Sequence, residues 1–425
     1  MMNANLLLEE ARQILARLQQ AGFKAYLVGG FVRDHLLGRP VHDIDIATSA
    51  APADVMHLFP RSVPTGLRHG TVTVVMPVHS FEVTTFRKDG EYKDHRRPET
   101  VEYVDSLHED LARRDFTINA MAMDINGQVI DPFGGQQDLK EGVLRCVGEA
   151  AHRFEEDALR MLRCIRFAAN YRLAIDEEAW SAILALRPLM KHIAMERVRI
   201  ELSKTIEGED PDRGVLLLLS SRLLAYTKEE LAWRPFAASD AKERLLAELK
   251  LVRMSPLARW VSLFLAGEHT SDEADVIARK LTFTNELRSR IVKSLRMYEH
   301  MRRETAADAP LAERDLRRIW CDGAVTYGRE AAEILYEVRD LYRTESWHEL
   351  TVRRMPDWLA EMSVWTPADL AVSGRDVMHL RARKGPWISR LLHELTVDAA
   401  MGEAVNEKQE LLRLAEDYMR KWDPS

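Results

Sequence analysis

Apolar residues near the start of the chain recur every three or four positions. They are Leu7, Leu8, Ala11, Ile14, Leu15 and Leu18. This spacing places them on one face of a helix, and Gly22 is a typical residue for the end of that helix. The pattern therefore predicts an amphipathic helix that packs against a core.

The pattern then changes to short apolar runs with a period of two, which is typical of strands. Four such runs are KAYLV (24–28), DIDIAT (43–48), TVTVVMP (71–77) and SFEVTTF (80–86). The last two runs are joined around Val78 and His79, and we expect them to form a hairpin. Short helices are predicted over FVRDHLL (31–37) and ADVMHLF (53–59).

From about residue 150 onward, helical spacing predominates and strand patterns almost disappear. Loop-like breaks are predicted near 208–214, 304–310 and 353–358. We therefore expect one mixed α/β region up to about residue 150, followed by a helical remainder in two or three parts.

The composition favours a soluble cytoplasmic protein. The chain has 425 residues, a mass of 48.8 kDa, a net charge of −7 and a sequence pI near 6.1. No apolar run reaches the roughly 18 residues that a membrane span needs, and acidic residues directly follow the first leucines, unlike in a signal peptide. The three cysteines lack motif spacing and fit a reducing compartment. Nucleic-acid binding would depend on local basic patches.

The segment HDIDIA (42–47) carries two aspartates, Asp43 and Asp45, that are separated by one residue. On a strand these two side chains share one face, and the isoleucines take the other. Two carboxylates at this spacing repel each other, so we expect a cation such as Mg²⁺ between them. Glu82, on a neighbouring predicted strand, is the candidate third carboxylate. Taken alone, an Asp-x-Asp pair is equally consistent with a solvated edge strand.

The residues before this pair suit a phosphate group. Gly29 and Gly30 would let a phosphate approach the backbone at the start of the next helix. Arg33 lies in the first turns of that helix and can donate two hydrogen bonds to a phosphate. The whole segment GGFVRDHLLGRPVHDIDIAT (29–48) resembles the signature of the nucleotidyltransferase superfamily that includes DNA polymerase β. More narrowly, it resembles the class II branch, which contains tRNA CCA-adding enzymes and bacterial poly(A) polymerases.

The resemblance implies an α+β fold with an N-terminal polymerase-β-like head, built on a mixed sheet, followed by an all-α neck, body and tail. The borders that we expect are 1–150 for the catalytic head, 151–212 for the nucleotide-selecting neck, 213–352 for the body and 353–425 for the tRNA-binding tail. In the helical half, the histidines lack an adjacent aspartate, which argues against a second, phosphohydrolase-type metal centre. The helical half contains His192, His269, His300, His348, His379 and His393.

Two further segments of the head match the family. RKDGEYKDHRRPETV (87–101) resembles the flexible loop of class II enzymes that add the terminal A, although a solvent-exposed linker would have the same composition. RRDFTINAMA (113–122) resembles the second motif of the family. The resemblance implies that Arg114 binds the nucleotide. It also implies that Asp115 links head and neck, with a contact to the sugar as an option.

EEDALRMLRCIRF (155–167) predicts a helix in which Asp157 and Arg160 are neighbours on one face, three residues apart. Glu156, one turn before Arg160, can hold its guanidinium group. An ordinary amphipathic helix with internal ion pairs would show the same pattern. The family resemblance implies that Asp157 and Arg160 read the base, and that Arg163 and Arg166 also contact the nucleotide or support the pair.

Two later segments extend the resemblance. MERVRIELSKTI (195–206) is expected to pack against the helix that reads the base. LAVSGRDV (370–377) resembles the tail of Bacillus-type enzymes. A local basic cluster follows, and it fits either contact with RNA phosphates or a solvated face. Its members are Arg375, Arg381, Arg383, Lys384 and Arg390.

The function that the resemblance implies is template-independent addition of C, C and A to the 3′ end of tRNA. The substrates would be CTP and ATP, the product pyrophosphate, and the cofactor Mg²⁺ at Asp43 and Asp45. Two alternatives within the class are a poly(A) polymerase and an enzyme that adds only A. A non-catalytic RNA-binding relative is the alternative from another class. The oligomeric state stays open, with a homodimer as one option.

Overall fold

In a computed structural model, the chain is described over residues 2–90, 101–233, 250–306, 311–381 and 385–422. It divides into two units, residues 1–230 and residues 231–425. The first unit contains every strand of the described chain, and the second is helical. None of the helices in the described ranges has the length and apolarity needed to cross a bilayer.

The first unit is built on a seven-stranded mixed sheet with the strand order β3-β4-β5-β2-β1-β8-β9. Its strands are β1 (Ala25–Val28), β2 (Asp45–Thr48), β3 (Ser62–Gly66), β4 (Thr71–Val75), β5 (Ser80–Thr85), β8 (Ala122–Met123) and β9 (Val129–Ile130). Two small ladders pair β6 (Arg87–Asp89) with β7 (Val101–Tyr103), and β10 (Val143–Leu144) with β11 (Ala174–Ile175). Strands β2 and β5 are parallel, whereas β4 and β5 form the antiparallel hairpin that the sequence predicts.

Within the described part of this unit, ten α-helices accompany these strands. They are α1 (Met2–Gln20), α2 (Gly30–Leu36), α3 (Pro52–Leu58), α4 (Leu107–Ala112), α5 (Gly135–Glu141), α6 (Ala150–Glu156), α7 (Leu159–Asn170), α8 (Glu177–Leu186), α9 (Met195–Ile206) and α10 (Pro211–Ser221). Short 3₁₀ turns cover Leu67–His69, Thr117–Asn119, Arg187–His192 and Leu223–Tyr226. The predicted first helix is confirmed, because its apolar face is buried against one side of the sheet.

The alternation in HDIDIA is confirmed, but the predicted strand is too long. Ile44 and Ile46 are buried in the core beneath α1, whereas Asp43 and Asp45 are exposed. Strand β2 begins at Asp45, so Asp43 lies just before the ladder. The two carboxylates therefore lie at the start of β2.

The predicted helix 155–167 is interrupted, which corrects the expectation that Asp157 and Arg160 are neighbours on one continuous helix. Helix α6 ends at Glu156, and Asp157 has an extended backbone with φ −142° and ψ 102° before α7 begins at Leu159. Leu159, Leu162 and Ile165 are buried as predicted.

The second unit consists of nine α-helices within the described residues. They are α11 (Pro256–Ala266), α12 (Ser271–Lys280), α13 (Asn285–Glu304), α14 (Glu313–Tyr327), α15 (Arg329–Glu337), α16 (His348–Glu361), α17 (Gly374–Val377), α18 (Trp387–Ala400) and α19 (Lys408–Trp422). Short 3₁₀ turns cover Leu251–Arg253, Arg339–Tyr342, Pro367–Asp369 and Met378–Leu380.

The predicted loop-like break at 353–358 is wrong, because these residues lie inside α16, with Pro356 in its interior. Proline removes one N–H donor from a helix and usually marks its end. Here Met355 and Trp358 are buried, so tertiary packing outweighs the local cost of the proline. The expected border between body and tail at residue 353 therefore falls within a helix. Helix α10, which the expected neck–body border divides, packs on α7 and α9 in the first unit.

Three helices of the second unit meet at Asp322 of α14. Its carboxylate lies 2.6 Å from Nε2 of His393 on α18 and 3.3 Å from Nε2 of His300 on α13. The sequence does not reveal this arrangement, because neither histidine is adjacent to an aspartate in the chain. Within the described ranges, no cluster of three or more potential ligand residues has a geometry suited to a metal ion. We therefore interpret the junction as an ion pair.

The hydrogen bond to Asp322 raises the pKa of His393, although partial burial opposes that shift. Burial alone would raise the pKa of Asp322, but His393, His300 and Arg318 lower it. Since the folded pKa of His393 exceeds the unfolded value of about 6.5, protonated His393 stabilises the fold. This contribution is fully present below about pH 6.5 and is lost as the pH rises through the folded pKa.

We predict that Asp322→Asn lowers the Tm by more at about pH 6 than at about pH 9. Thermal unfolding of the wild type and the variant at both pH values measures this difference. A Tm difference that does not change with pH would contradict the assignment of the ion pair.

Candidate active site

A cleft of about 770 Å³ lies in the first unit, between the end of the sheet and α7 and α9. Its lining comprises Gly29, Gly30, Arg33, Asp34, Asp43, Asp45, His69, Arg87, Arg113, Arg114, Asp115, Asn119, Asp157, Leu159, Arg160, Arg163, Arg166, Phe167, Arg197 and Lys204. The lining contains five aspartates and eight arginines. The cleft therefore suits a ligand that carries both a metal ion and negatively charged groups.

The carboxylates Asp43, Asp45 and Glu82 lie close together in the fold. Asp45 on β2 is directly opposite Glu82 on the parallel strand β5. Desolvation within the cleft and the charges of Asp43 and Glu82 together raise the pKa of Asp45 to about 6, and Arg114 opposes this shift. Such repulsion is relieved when a divalent cation binds, so the oxygen donors fit Mg²⁺ or a similar hard ion.

Only two of the three predicted carboxylates, Asp43 and Asp45, line the cleft. Glu82 is exposed on the strand next to Asp45 and does not belong to the lining. Two carboxylates leave the remaining coordination positions of a cation to water and substrate phosphate, as is common for Mg²⁺.

Gly29 has a backbone conformation that residues with a side chain rarely adopt. Its φ of +70° and ψ of −132° are strained for any residue with a side chain. A Cβ atom at this position would also lie 2.9 Å from Nη1 of Arg114. The glycine therefore permits a close approach of the backbone to Arg114, and the phosphate contact expected at the Gly-Gly pair stays a prediction.

Arg33 is held firmly by residues that the sequence analysis does not single out. Its Nε and Nη2 donate to both carboxylate oxygens of Asp34, at 3.0 and 2.8 Å. Its Nη1 donates to Asn119 at 2.5 Å, and its guanidinium lies 4.2 Å from the ring centre of Tyr171. One edge of the guanidinium is thus occupied by Asp34, and the phosphate contact expected for Arg33 stays a prediction.

Arg114 lies between two carboxylates. Asp110 accepts a hydrogen bond from its Nη2 at 3.4 Å, and Asp45 interacts with it electrostatically. Burial lowers the pKa of Arg114, and Asp110 opposes this effect. Its buried Nε has no hydrogen-bond partner within the described residues. A buried donor without a partner costs about 1–3 kcal/mol, so this atom is a natural site for a ligand oxygen.

Asp115 connects the two sides of the cleft, as expected from the family motif. Its Oδ2 accepts from Nε and Nη2 of Arg163 on α7, at 2.7 and 2.6 Å. Its Oδ1 accepts from the side chain of Asn119 at 3.1 Å. Burial would raise the pKa of Asp115, but Arg163, Asn119 and Arg160 lower it to about 2. The carboxylate is therefore ionised and fully paired.

Asp157 and Arg160 both line the cleft but have different partners. Both oxygens of Asp157 pair with Arg197 on α9, at 3.2 and 2.6 Å. Arg160 forms an ion pair with Glu156, as predicted, and donates to the backbone oxygen of Arg113 at 3.1 Å. Both residues line the cleft although Asp157 lies at the break between α6 and α7.

Helix α9 contributes more than the packing expected from the sequence. Glu201 is 4% exposed and accepts from Nε of Arg166 at 2.6 Å. Arg163 lies 3.6 Å from the other oxygen of Glu201. Arg197 and Glu201 are four residues apart, so they share the face of α9 that meets α7. That spacing is the signal that could have identified both residues.

Two groups of predicted residues do not belong to the lining of this cleft or lie outside the described ranges. In the tail, Arg375 borders a small pocket with Ser373, and the guanidinium of Arg381 lies 5.8 Å from the ring centre of Trp387. Arg383 and Lys384 lie outside the described residues, as do residues 91–100 of the predicted loop. The ends of that loop segment pair as β6 and β7.

Comparison with known proteins gives a consistent family assignment. Residues 25–145 match the "Poly A polymerase head domain", residues 172–233 match the "Probable RNA and SrmB- binding site of polymerase A", and residues 255–415 match a tRNA nucleotidyltransferase domain 2. The chain is 38% identical to the CCA-adding enzyme of Geobacillus stearothermophilus, over 95% of each chain. It is 35% identical to that of Levilactobacillus brevis, over 96% of this chain and 98% of the other.

Solved structures agree. The crystal structure of the Bacillus stearothermophilus CCA-adding enzyme in complex with CTP superimposes with a TM-score of 0.80 at 35% identity. That match covers 97% of this chain and 98% of the other. The Thermotoga maritima CCA-adding enzyme complexed with tRNA shares the fold, with a TM-score of 0.66 at 18% identity, over 98% of each chain.

We predict that Asp115→Asn lowers the free energy of unfolding by about 3 kcal/mol, because the charge-assisted pair between Asp115 and Arg163 is lost. Urea unfolding at neutral pH measures this change. The control is Arg172→Gln, which removes the more exposed pair with Asp210 and should cost about 1 kcal/mol or less. Equal losses in the two variants would show that the Asp115 pair does not stabilise the fold more than a surface pair.

Proposed function

The chain belongs to the family of CCA-adding enzymes, and from this premise we propose that it adds C, C and A to the 3′ end of tRNA. In this reaction the tRNA 3′-hydroxyl attacks the α-phosphate of CTP or ATP in line, and pyrophosphate leaves. One observation gives the main support for this proposal. A single cleft is lined both by the carboxylates Asp43 and Asp45 and by the base-reading candidates Asp157 and Arg160.

Asp43 and Asp45 would hold the divalent metal ion that this family uses, and we propose that the ion is Mg²⁺. When bound, such an ion polarises the phosphoryl group and offsets the developing charge. The mutual repulsion that raises the pKa of Asp45 supports this assignment. Glu82 is proposed as an additional carboxylate, because it lies opposite Asp45 across the β2–β5 pair.

Arg114 is proposed to bind the triphosphate or sugar of the incoming nucleotide. Its buried Nε lacks a partner, and the glycine backbone at residue 29 leaves room beside its Nη1. Gly30 and Arg33 complete this wall of the cleft. Arg163 and Arg166 are proposed to support the nucleotide from α7, where Asp115 and Glu201 hold them in place.

Selection of the base follows from hydrogen-bond chemistry. Cytosine and adenine each present an exocyclic amine beside an unprotonated ring nitrogen. The carboxylate of Asp157 can accept from the amine, and the guanidinium of Arg160 can donate to the ring nitrogen. Uracil and guanine present a carbonyl and a ring N–H at the same edge, so both contacts fail. Each unpaired buried group costs about 1–3 kcal/mol, and two such costs exclude U and G without a nucleic-acid template.

We propose that the head, neck, body and tail have different roles in the reaction. The head up to about residue 150 carries the metal site, and the neck over 151–212 selects the nucleotide. The helical body and tail are proposed to hold tRNA through its backbone shape. Arg375, Arg381, Arg383 and Lys384 are the candidate phosphate contacts. A cytoplasmic location fits this substrate and the three free, buried cysteines.

We predict that Asp43→Ala abolishes nucleotide incorporation and leaves tRNA affinity within about twofold, because the carboxylate contacts the metal rather than the RNA. Incorporation of labelled CTP and a tRNA filter-binding assay measure the two quantities. Asp105→Ala, which removes an exposed carboxylate outside the cleft, is the matched control and should retain activity. Persistent incorporation by Asp43→Ala would contradict the metal assignment.

The products formed on a tRNA that lacks CCA distinguish this function from its alternatives. We predict addition of two C residues when CTP is the only nucleotide, and completion to CCA when ATP is added. Sequencing-gel analysis of the products measures both outcomes. No addition of C would favour an enzyme that adds only A, repeated A addition would favour a poly(A) polymerase, and tRNA binding without any addition would favour a non-catalytic relative.

A further inference from the structure

The position of Asp157 depends on a residue outside its own helix segment. Asp157 has an extended backbone at the break between α6 and α7, so regular helical packing does not restrain it. Within its own segment, its Oδ1 accepts from the backbone N–H of Leu159 at 3.2 Å. A single contact of this kind leaves the plane of the carboxylate free to rotate.

Arg197 supplies the missing restraint from α9. Its Nη1 donates to Oδ1 of Asp157 at 3.2 Å, and its Nη2 donates to Oδ2 at 2.6 Å. Two parallel hydrogen bonds from a planar guanidinium define the plane of a carboxylate, which a single ammonium group cannot do. The side chains of Arg197 and Asp157 are 25% and 15% exposed, so the pair is partly shielded from solvent.

The hydrogen bonds of Asp157 leave one acceptor position open. An ionised carboxylate has about four acceptor positions, two on each oxygen. Arg197 and the Leu159 amide occupy both positions on Oδ1, and Arg197 occupies one on Oδ2. The remaining position is on Oδ2, and Asp157 borders the cleft.

We propose that Arg197 is a positioning residue that orients Asp157, so that the open position on Oδ2 receives the exocyclic amine of cytosine or adenine. This inference rests on the proposed function and deepens it. Arg160 is oriented by other groups, namely Glu156 and the backbone oxygens of Arg153 and Arg113. Asp157 and Arg160 are therefore positioned by different groups, and Arg197 positions only Asp157, the residue proposed to recognise the amine.

The test is the ratio of kcat/KM for CTP to kcat/KM for UTP, measured on a tRNA that lacks CCA. In Arg197→Met we expect this ratio to fall about tenfold to a hundredfold, mainly because the kcat/KM for CTP decreases. The ratio for ATP over GTP, measured on a tRNA that ends in CC, should fall in the same way. Arg197→Lys keeps the charge but loses the two parallel hydrogen bonds, and we expect an intermediate loss.

Arg145→Met is the matched control, because Arg145 also forms ion pairs with carboxylates in the first unit but lies outside the cleft. Its nucleotide ratios should equal those of the wild type. A double-mutant cycle with Asp157→Asn adds a second readout. Once Asp157 has lost its charge, Arg197→Met should cause little further loss of the ratio.

Three outcomes would overturn the inference. They are unchanged ratios in both Arg197 variants, an equal loss of kcat/KM for all four nucleotides, and independent, additive effects of Arg197→Met and Asp157→Asn. If Arg197→Met does not fold, as judged by thermal unfolding, Arg197→Lys alone decides the matter by its ratio. A wild-type protein that adds neither C nor A would contradict the proposed function instead.

Discussion

The ion pair between the buried Asp115 and the half-buried Arg163 is the interaction on which the candidate site depends. It connects the segment that follows α4 in the head to helix α7 of the neck, and both members border the cleft. Taking these charges out of water is costly unless each is fully paired. Asp115 meets this condition through Arg163, Asn119 and a backbone amide. The proposed metal-binding carboxylates and the proposed base-reading residues line the same cleft of the first unit as this pair.

The arginines of this cleft have two kinds of role. Arg33 and Arg166 are paired with acidic residues that hold them in place, and their charge is largely compensated. Arg114 is different, because its buried Nε has no partner in the described structure. Pairing restrains long side chains and reduces the entropy that a ligand must remove on binding. A preorganised wall of this kind suits an enzyme that selects a nucleotide by hydrogen bonds alone.

Local patterns in the sequence predict much of the fold and about half of the site. Period-two alternation identifies the strands that carry Asp45 and Glu82 and the face that each side chain takes, because strand geometry is local. The register that sets Glu82 opposite Asp45 is a long-range pairing of β2 with β5. The partner of Asp157 is not predictable in this way, since Arg197 lies 40 residues away in the chain. The interruption before α7 is missed because the segment has helical spacing throughout. Pro356 leads to the opposite error. The sequence predicts a break at 353–358, but packing keeps this proline inside α16.

We propose that one cleft brings the candidate metal-binding carboxylates and the candidate base-reading pair to the same nucleotide. A crystal structure of the protein with Mg²⁺, a non-hydrolysable CTP analogue and a tRNA that lacks CCA would test this arrangement. We expect the cytosine amine within about 3 Å of Asp157, with the α-phosphate beside a metal ion held by Asp43 and Asp45. A base bound away from Asp157 and Arg160, or a triphosphate bound away from Asp43 and Asp45, would contradict it.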